Sequence, residues 1–320
     1  MIRFVGFAIL LLATGGLFVA LSPQFSSLGN ISAIFRHMSA DGLAALGLTF
    51  VIVVRRADLS FPGIASFGAM TAGWLIAGGY SLLASIAGGV GVGIVCGVIN
   101  GFAIGQMDLP DIVTTIATGS IAYGLSYIYS NGATISDNFM TSGITDINDQ
   151  TIASIDEPVF FMLLLYVLAW FLLHRTRYGR CFYATGENAR SASFSGIRVR
   201  LYILAAFGIC AAMSCWAGIL HCAEAGQADV DAGSTFLMPA WASVYLGAAL
   251  FGVPSIPATF AGTLLISMML NGFTLLSVPY YYSDAIVSFV LIAAIAVFDP
   301  RVGAILRRLG QAGGVAGTHR

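Results

Sequence analysis

The 320-residue chain is 58% hydrophobic and only 9% charged, with 14 basic residues, all arginine, and 15 acidic residues. Because a soluble globular protein carries roughly a quarter charged residues, this composition excludes a soluble domain. The net charge of −1 provides no positive field for nucleic acid, which excludes a DNA or RNA partner. The five cysteines show no CxxC spacing, and we expect them to be small core residues.

Apolar stretches long enough to cross a bilayer as helices recur along the whole chain. Ten spans are predicted, over residues 4–22, 39–54, 62–79, 82–105, 112–130, 158–174, 201–220, 237–251, 256–277 and 283–298. The first is longer than a signal-peptide core and is interpreted as a retained span. The eighth is short and contains Pro239, so a broken or re-entrant form is expected. The prediction is an all-α integral membrane fold.

The arginines predict how these spans are oriented, because basic residues accumulate in cytoplasmic loops. With the N-terminus inside, ten spans place thirteen of the 14 arginines on the cytoplasmic side, and only Arg36 dissents. The acidic connection 130–157 then lies outside. Both termini are predicted to be cytoplasmic, with one transmembrane domain over residues 1–302 and a tail over 303–320.

A short sequence echo indicates an internal repeat of five spans plus five. Val98–Phe102 in span four is similar to Leu270–Phe273 in span nine, and Gly91 matches Gly262 at the same spacing. An offset of five spans reverses the direction of the chain, so the two copies would have inverted topology. Chance agreement in a glycine-rich chain is the alternative.

The segment 175–200 is too polar and too rich in arginine to enter the bilayer. Asn188 can cap a short helix from Ala189 to Ser195, and Gly196 can supply the left-handed residue that ends it. A short helix held between two spans is suited to transmitting the movement of a soluble partner. Alternatively, these arginines only set the topology and bind lipid headgroups.

The residues 186–199, GENARSASFSGIRV, resemble the coupling-helix region of permease subunits of bacterial ABC importers, in the branch that includes ribose and xylose permeases. Further similarities follow in chain order, at 42–52, Asp58–Ser60, Ile99–Gly101, Ile112–Thr114, Asn131–Gly132, Leu246–Gly247, Gly262–Leu264 and Asn271–Gly272. The chain departs from the family pattern at Arg55–Ala57, where two glycines are common, and at Leu237 and Pro239, where an acidic pair is usual. These departures leave the substrate open.

The resemblance implies a permease domain driven by partner chains. Residues in positions that would contact the ATPase are Gly186, Glu187, Asn188, Ala189, Arg190, Ser195 and Gly196. The implied partners are cytoplasmic ABC ATPase subunits, a second permease subunit, an extracytoplasmic solute-binding protein and membrane lipid, in the bacterial cytoplasmic (inner) membrane. ATP and Mg²⁺ are expected on the ATPase, with no cofactor on this chain.

The sequence has no recognisable motif for catalysis, nucleotide binding or metal binding, and we do not expect an enzyme. Polar side chains inside spans need a partner or water, which makes them candidates for a translocation path. They are Thr49, Asp58, Asn100, Thr114, Thr115, Thr118 and Asn271. Hydrogen bonding between helices is the alternative role for each. The set favours a neutral hydroxylated solute over an ion. The family resemblance implies a monosaccharide or related polyol, moved inward by alternating access. An amino-acid or nucleoside permease and an ion-coupled secondary transporter remain alternatives.

Overall fold

The computed structural model describes residues 2–152 and 155–298. Within them the chain forms fourteen α-helices: α1 (Ile2–Leu21), α2 (Leu28–Val53), α3 (Phe61–Ala77), α4 (Leu82–Gly105), α5 (Asp111–Ser126), α6 (Phe139–Ser142), α7 (Asp146–Asp149), α8 (Glu157–Trp170), α9 (Arg177–Glu187), α10 (Ala189–Phe194), α11 (Val199–Ala225), α12 (Leu237–Phe251), α13 (Ile256–Leu275) and α14 (Tyr280–Phe298). A π-helical turn (Phe171–Arg175) extends α8, and 3-10 turns lie at Pro23–Ser26, Tyr127–Tyr129 and Ser234–Phe236. Strands β1 (Thr151–Ile152) and β2 (Ile155–Asp156) pair antiparallel.

Ten long helices (α1 to α5, α8 and α11 to α14) each overlap one of the ten predicted spans. In the described residues, five of them are long and apolar enough to cross a membrane: α4, α8 with its π turn, α11, α12 with the preceding 3-10 turn, and α13. Helices α1, α3 and α14 are apolar over shorter stretches. The architecture is that of an all-α membrane protein, and crossing by all ten helices stays a prediction. The predicted tail over 303–320 lies outside the described residues.

The predicted start of the second span was wrong, because α2 begins at Leu28 rather than at residue 39. The Ser27 side chain caps the helix by accepting a hydrogen bond from the Asn30 amide at 3.2 Å. Arg36 lies inside α2, where its Nη2 is 3.3 Å from Asp156 Oδ2. The charge at Arg36 lowers the local hydropathy, so the apolar pattern alone placed the boundary too late. Helix α5 ends four residues before its predicted end, and α11 continues five residues beyond it.

Helices α2 and α11 form the centre of the bundle. Helix α2 packs against α8, α11, α12 and α13, and α11 packs against α2, α3 and α4. A Cβ on Gly97 of α4 would lie only 2.5 Å from the Phe207 carbonyl oxygen of α11, and one on Gly47 of α2 would lie 2.9 Å from Cys210 Cα. Between membrane helices, such close backbone approach supplies the van der Waals contact that holds them together. The small-residue face of α4 is thus a packing surface.

The packing of α2 to α5 in the first half recurs for α11 to α14 in the second half. Helix α3 packs on α4 and α5 as α12 packs on α13 and α14. Across the halves, the α2–α13 contact has its counterpart in α11–α4, and the α2–α12 contact has its counterpart in α11–α3. The contacts of α2 to α5 therefore match those of α11 to α14, whereas α1 packs on α12 and α13 and α8 packs on α2 and α13.

Two irregular segments, 54–60 before α3 and 226–233 before α12, contain the same hydrogen-bonded turn. The Ser60 amide donates to Asp58 Oδ1 at 2.7 Å, and the Asp231 amide donates to Asp229 Oδ1 at 2.8 Å. The sequences of these turns, ADLS and ADVD, lie 171 residues apart, the spacing that also separates Asn100 from Asn271. Pro239 lies in the first turn of α12, which tolerates proline. The break expected within the eighth span was wrong, because α12 is continuous from Leu237 to Phe251 and the irregular backbone precedes it.

Candidate functional site

Helix α9 joins the polar segment 175–200 rigidly to the bundle. Thr176 caps it by accepting hydrogen bonds from the amides of Tyr178 and Gly179. Its buried ring, Phe182, packs edge-on against Phe50 of α2, with the ring centroids 5.5 Å apart. A Cβ on Gly186 would overlap the carbonyl oxygen of the last α2 residue. Gly186 is therefore a point of close backbone contact between α9 and α2.

Helix α10 is the short helix predicted between Asn188 and Gly196. Asn188 Oδ1 accepts a hydrogen bond from the Ser191 amide at 3.0 Å, the cap that the sequence predicts. Ser195 follows the helix, with its hydroxyl donating to the Ser191 carbonyl at 3.1 Å. Gly196 then adopts φ +80°, the left-handed conformation expected after a helix end. The helix has both of its predicted end signals in place.

Sequence reasoning missed one exposed aromatic residue on α10. Phe194 is 81% exposed, and the Arg190 guanidinium lies 5.9 Å from its ring centroid. Glu187 and Ala189 are exposed beside it. The signal in the sequence is a single phenylalanine in the otherwise polar hexapeptide ARSASF. The helix therefore presents a cation and an aromatic ring away from the bundle.

A cavity of about 470 Å³ lies between α9 and the ends of α2, α5 and α12. Arg55, Asp111 and Tyr183 are among its lining residues. The Tyr183 hydroxyl donates to the Pro254 carbonyl at 3.0 Å. Burial raises the pKa of Tyr183 to about 12, so this donor keeps its proton at neutral pH. The bond ties α9 to the connection between α12 and α13.

Two of the predicted path residues, Asp58 and Asn100, meet through Ser60. The Ser60 hydroxyl donates to Asp58 Oδ1 at 2.5 Å, and Asn100 Nδ2 donates to Ser60 Oγ at 2.8 Å. Thr115 joins the same turn by accepting the Leu59 amide at 3.1 Å. Asp58, Asn100 and Thr115 are each at most 1% exposed. The cluster links α3, α4 and α5 through the irregular segment 54–60.

The other predicted path residues lie elsewhere. Thr49 is fully buried, with its Oγ1 2.6 Å from Thr259 Oγ1 of α13. The amides of Asn271 and Asn30 exchange two hydrogen bonds of 3.0 Å. The hydroxyls of Thr114 and Thr118 donate to carbonyls one turn back in their own helix, at 2.8 and 3.0 Å, and both side chains are half-buried. The seven residues therefore do not form a single site, and path lining by the buried ones stays a prediction.

The described residues hold no group of three His, Cys, Asp or Glu side chains arranged for a metal ion. His37 Nδ1 lies 3.3 Å from Glu224 Oε1, which links α2 to the end of α11. This contact is an ion pair when the histidine is protonated.

Substitutions at Asp58 separate its turn-forming role from its charge. Asp58→Asn keeps an oxygen for the Ser60 amide and hydroxyl, and we expect the thermal unfolding midpoint to stay close to that of the parent protein. Asp58→Ala leaves both donors of Ser60 without their acceptor, which costs about 2 kcal/mol or more. Thermal unfolding of the purified protein in detergent measures both, with Asp137→Ala in an exposed loop as the control. Equal losses for the asparagine and alanine variants would contradict the turn as the main role of Asp58.

Sequence comparison identifies the family. Residues 30–295 match the branched-chain amino acid transport system / permease component family. The chain belongs to this permease family.

Three curated relatives of the permease extend the comparison. It is 34% identical to the D-allose transport system permease protein AlsC of Escherichia coli K12, over 88% of this chain and 87% of that protein. It is 27% identical to the ribose import permease protein RbsC of the same strain, over 87% and 88%. It is 29% identical to the autoinducer 2 import system permease protein LsrC of Salmonella typhimurium, over 93% and 86%. The permease is thus comparable over most of its length with permeases named for D-allose, ribose and autoinducer 2.

Proposed function

We propose that this permease is the membrane subunit of an ATP-binding-cassette importer for a neutral monosaccharide or related polyol. The observation that carries the proposal is the capped helix α10, fixed to α2 through α9, in a chain of a transport permease family. AlsC and RbsC, named as D-allose and ribose permeases, support a sugar as the solute. No intrinsic ATPase is proposed, and ATP and Mg²⁺ would bind to a partner chain.

The proposed topology has ten membrane-crossing helices with both termini on the cytoplasmic side of the bacterial inner membrane. The connection from α8 to α11 would be cytoplasmic, which places its arginines inside. The dissenting Arg36 is paired with Asp156 at the start of α8. Both residues would lie towards the outer side of the membrane. One arginine paired with an aspartate there is compatible with a cytoplasmic location of the other thirteen arginines.

The proposed internal symmetry is an inverted repeat of five helices plus five. Two observations support it. The contacts of α2 to α5 match those of α11 to α14, and related turns occur at Asp58 and Asp229. In transporters with such repeats the substrate path lies at the interface between repeats or bundles, and one part moves against the other. Alternating access by rocking of these halves is the mechanism we propose.

The proposed assembly contains two permease subunits, two cytoplasmic ATPases and an extracytoplasmic solute-binding protein, within membrane lipid. Each ATPase would contact α10, where Glu187, Asn188 and Arg190 are exposed. Movement of the ATPases on binding ATP would pass through α9 and the Gly186 contact into α2. The exposed Phe194 ring would add an apolar contact to that interface.

Co-purification tests the assembly. The tagged permease is extracted from its native membrane in mild detergent, and proteins that elute with it are identified by mass spectrometry and assayed for ATP hydrolysis. We expect an ATP-binding subunit to elute with hydrolytic activity, because α10 offers a rigid docking element. Substituting Arg190→Glu should reduce the recovered ATPase, whereas Arg3→Glu, distant in sequence from this segment, should not. Elution of the permease alone under several gentle conditions would contradict the proposal and favour a secondary transporter.

A further inference from the structure

The irregular segment 226–233 runs alongside the middle of α3. It is not confined to the space beyond the end of this helix. A Cβ on Gly73 of α3 would overlap the Ala228 side chain. Further along, the Gly233 amide donates to Ser66 Oγ of α3 at 3.0 Å. Gly73 comes seven positions after Ser66 in the helix, a rise of roughly 10 Å. The segment therefore descends along an apolar helix, into the depth of the bundle.

Asp231, in this segment, points to α5 and remains exposed. Its Oδ1 accepts a hydrogen bond from the Tyr123 hydroxyl at 2.5 Å, and the Tyr123 and Tyr127 hydroxyls are 3.2 Å apart. The two rings meet edge to face, with centroids 5.4 Å apart. Gly119, one turn before Tyr123, packs against Ser60 at the start of α3. Two separate contacts along α3 thus place Tyr123 and Asp231 beside its middle.

The surroundings of this surface are restricted, because it contains an exposed carboxylate and irregular backbone at the depth of the bundle. Irregular backbone inside a membrane is tolerated only where it is covered by protein or lines a water-filled cavity. Charged side chains in spans likewise face the bundle interior or a water-filled cavity. In the chain itself this face is open, since Tyr127 is 39% exposed and Asp231 is exposed. Hydrocarbon is therefore excluded as its surroundings.

The inverted repeat explains why this surface differs from the related turn at Asp58. Asp231 occupies the position that Ser60 occupies in the first half, two residues after the turn-forming aspartate. Ser60 is fully buried and bonded to Asn100. The second turn has an ionisable residue at that position and exposes it. The turn is shared, and only the second copy offers a free polar surface.

We infer that Tyr123, Tyr127 and Asp231 form a binding subsite for a polyhydroxylated neutral solute on the translocation path. This inference rests on the proposed function. A carboxylate with two oxygens accepts hydrogen bonds from neighbouring hydroxyls, and the tyrosine rings provide apolar faces with a polar end. One Asp231 oxygen is already bonded to Tyr123, which holds the carboxylate in place while leaving acceptor capacity for the solute. Thr114 and Thr118, which lie on the same helix as Tyr123, would line the next part of the path.

An aromatic belt is the competing explanation, since tyrosine is enriched where a span reaches the membrane surface. A belt residue needs an amphipathic ring and no particular partner. It therefore predicts that Tyr127→Trp and Tyr123→Trp behave like the parent protein. A solute subsite predicts that both changes impair uptake. Tyr123→Trp removes the hydroxyl that bonds Asp231, and Tyr127→Trp removes the hydroxyl 3.2 Å from that of Tyr123.

Cysteine labelling tests the exposure of the subsite without requiring transport. Asp231→Cys is treated with a water-soluble charged methanethiosulfonate. The parent protein is treated in the same way, to measure the labelling of its own five cysteines. Val95→Cys is the control, because Val95 is an apolar residue of α4 that is 58% exposed. We expect Asp231→Cys to react at least tenfold faster than Val95→Cys, and the monosaccharide that the system transports to slow that reaction. Equal rates for the two variants would overturn the inference.

Uptake into proteoliposomes containing the complete transporter tests the role of the polar groups. We expect Asp231→Asn and Tyr123→Phe each to lower sugar uptake roughly tenfold, the effect of losing a hydrogen bond to a charged group. Stimulation of ATP hydrolysis by the loaded binding protein should stay within about twofold, because neither change touches α10. The matched controls are Asp137→Asn and Tyr80→Phe, which alter an exposed aspartate and an exposed tyrosine in other connections.

The outcomes separate this inference from the function on which it rests. Unchanged uptake in both subsite variants would overturn the subsite. Parallel loss of uptake and of stimulation by the binding protein would assign the residues to docking, which also overturns it. If the parent transporter moves no sugar while ATP is hydrolysed, the proposed function fails. In that case fast labelling of Asp231→Cys would still show a water-filled surface, and its solute would have to be sought in another class.

Discussion

Replacing Gly262 by valine is expected to lower the thermal unfolding midpoint of the purified permease by roughly 5–10 °C. Gly262 of α13 lies directly against α12, and a Cβ there would overlap the Ser243 carbonyl oxygen. On the other side of this contact, a Cβ on Gly247 of α12 would overlap the Ala258 carbonyl oxygen of α13. Because backbone atoms cannot rotate away as side chains do, the two helices must separate, at a cost of about 3 kcal/mol.

The matched control for Gly262→Val is Gly91→Val. Gly91 occupies the corresponding position of the other half, 171 residues earlier, and a Cβ there would meet nothing within 4 Å. We expect the unfolding midpoint of this variant to stay within about 2 °C of the parent protein, since surface substitutions away from special features change stability by less than about 0.5 kcal/mol. A similar loss in both variants would mean that helix propensity, and not the crossing of α12 and α13, determines the effect.

Gly196→Val is expected to reduce the amount of solute moved per ATP hydrolysed more than tenfold while the protein remains inserted in the membrane. Gly196 has φ +80° and no atom within 4 Å of an added Cβ. The substitution therefore acts through backbone conformation alone. A β-branched residue is unfavourable at positive φ by about 1–3 kcal/mol, so the chain after α10 is expected to leave this conformation. Helix α10 would then lose its fixed relation to α11. ATP hydrolysis and uptake measured on the same proteoliposomes give the ratio.

Gly196→Asn provides the control for the backbone effect. Asparagine adopts the left-handed conformation far more readily than valine does. We expect its ratio of uptake to hydrolysis to stay within about threefold of the parent transporter. Valine and asparagine variants that are equally uncoupled would indicate that the missing glycine, and not its φ angle, matters. A valine variant that remains coupled would contradict a transmitting role for α10.

Sequence patterns predicted the parts of the fold that depend on local signals. Ten apolar stretches predicted ten helices because hydropathy acts over a whole span, and the boundary error at α2 arose where Arg36 interrupts the pattern while pairing with a residue 120 positions away. The ends of α10 were predicted because Asn188 and Gly196 act within a few residues of the helix. These are the features in which neighbouring residues determine the structure.

The candidate path could not be predicted in the same way, because it depends on contacts between distant residues. Thr49 was selected as a polar residue in a span, but its hydroxyl partner, Thr259, is 210 residues away. The Tyr123–Asp231 pair joins residues 108 positions apart, and the sequence alone marked neither for the path. The related turns at Asp58 and Asp229 could have been noticed as ADLS and ADVD at the spacing of the repeat. Which of the two is exposed follows only from the packing around each.

The most direct test of the transport mechanism is uptake of labelled monosaccharide by proteoliposomes that contain the permease, its ATPase and the binding protein. We predict that labelled sugar accumulates only when ATP is present on the side of the membrane where the ATPase is bound. Accumulation should stop when the ATPase is omitted. A panel of pentoses and hexoses, with an amino acid and a nucleoside for comparison, would identify the solute class. Sugar movement that continues without ATP and follows an imposed proton or sodium gradient would contradict the account.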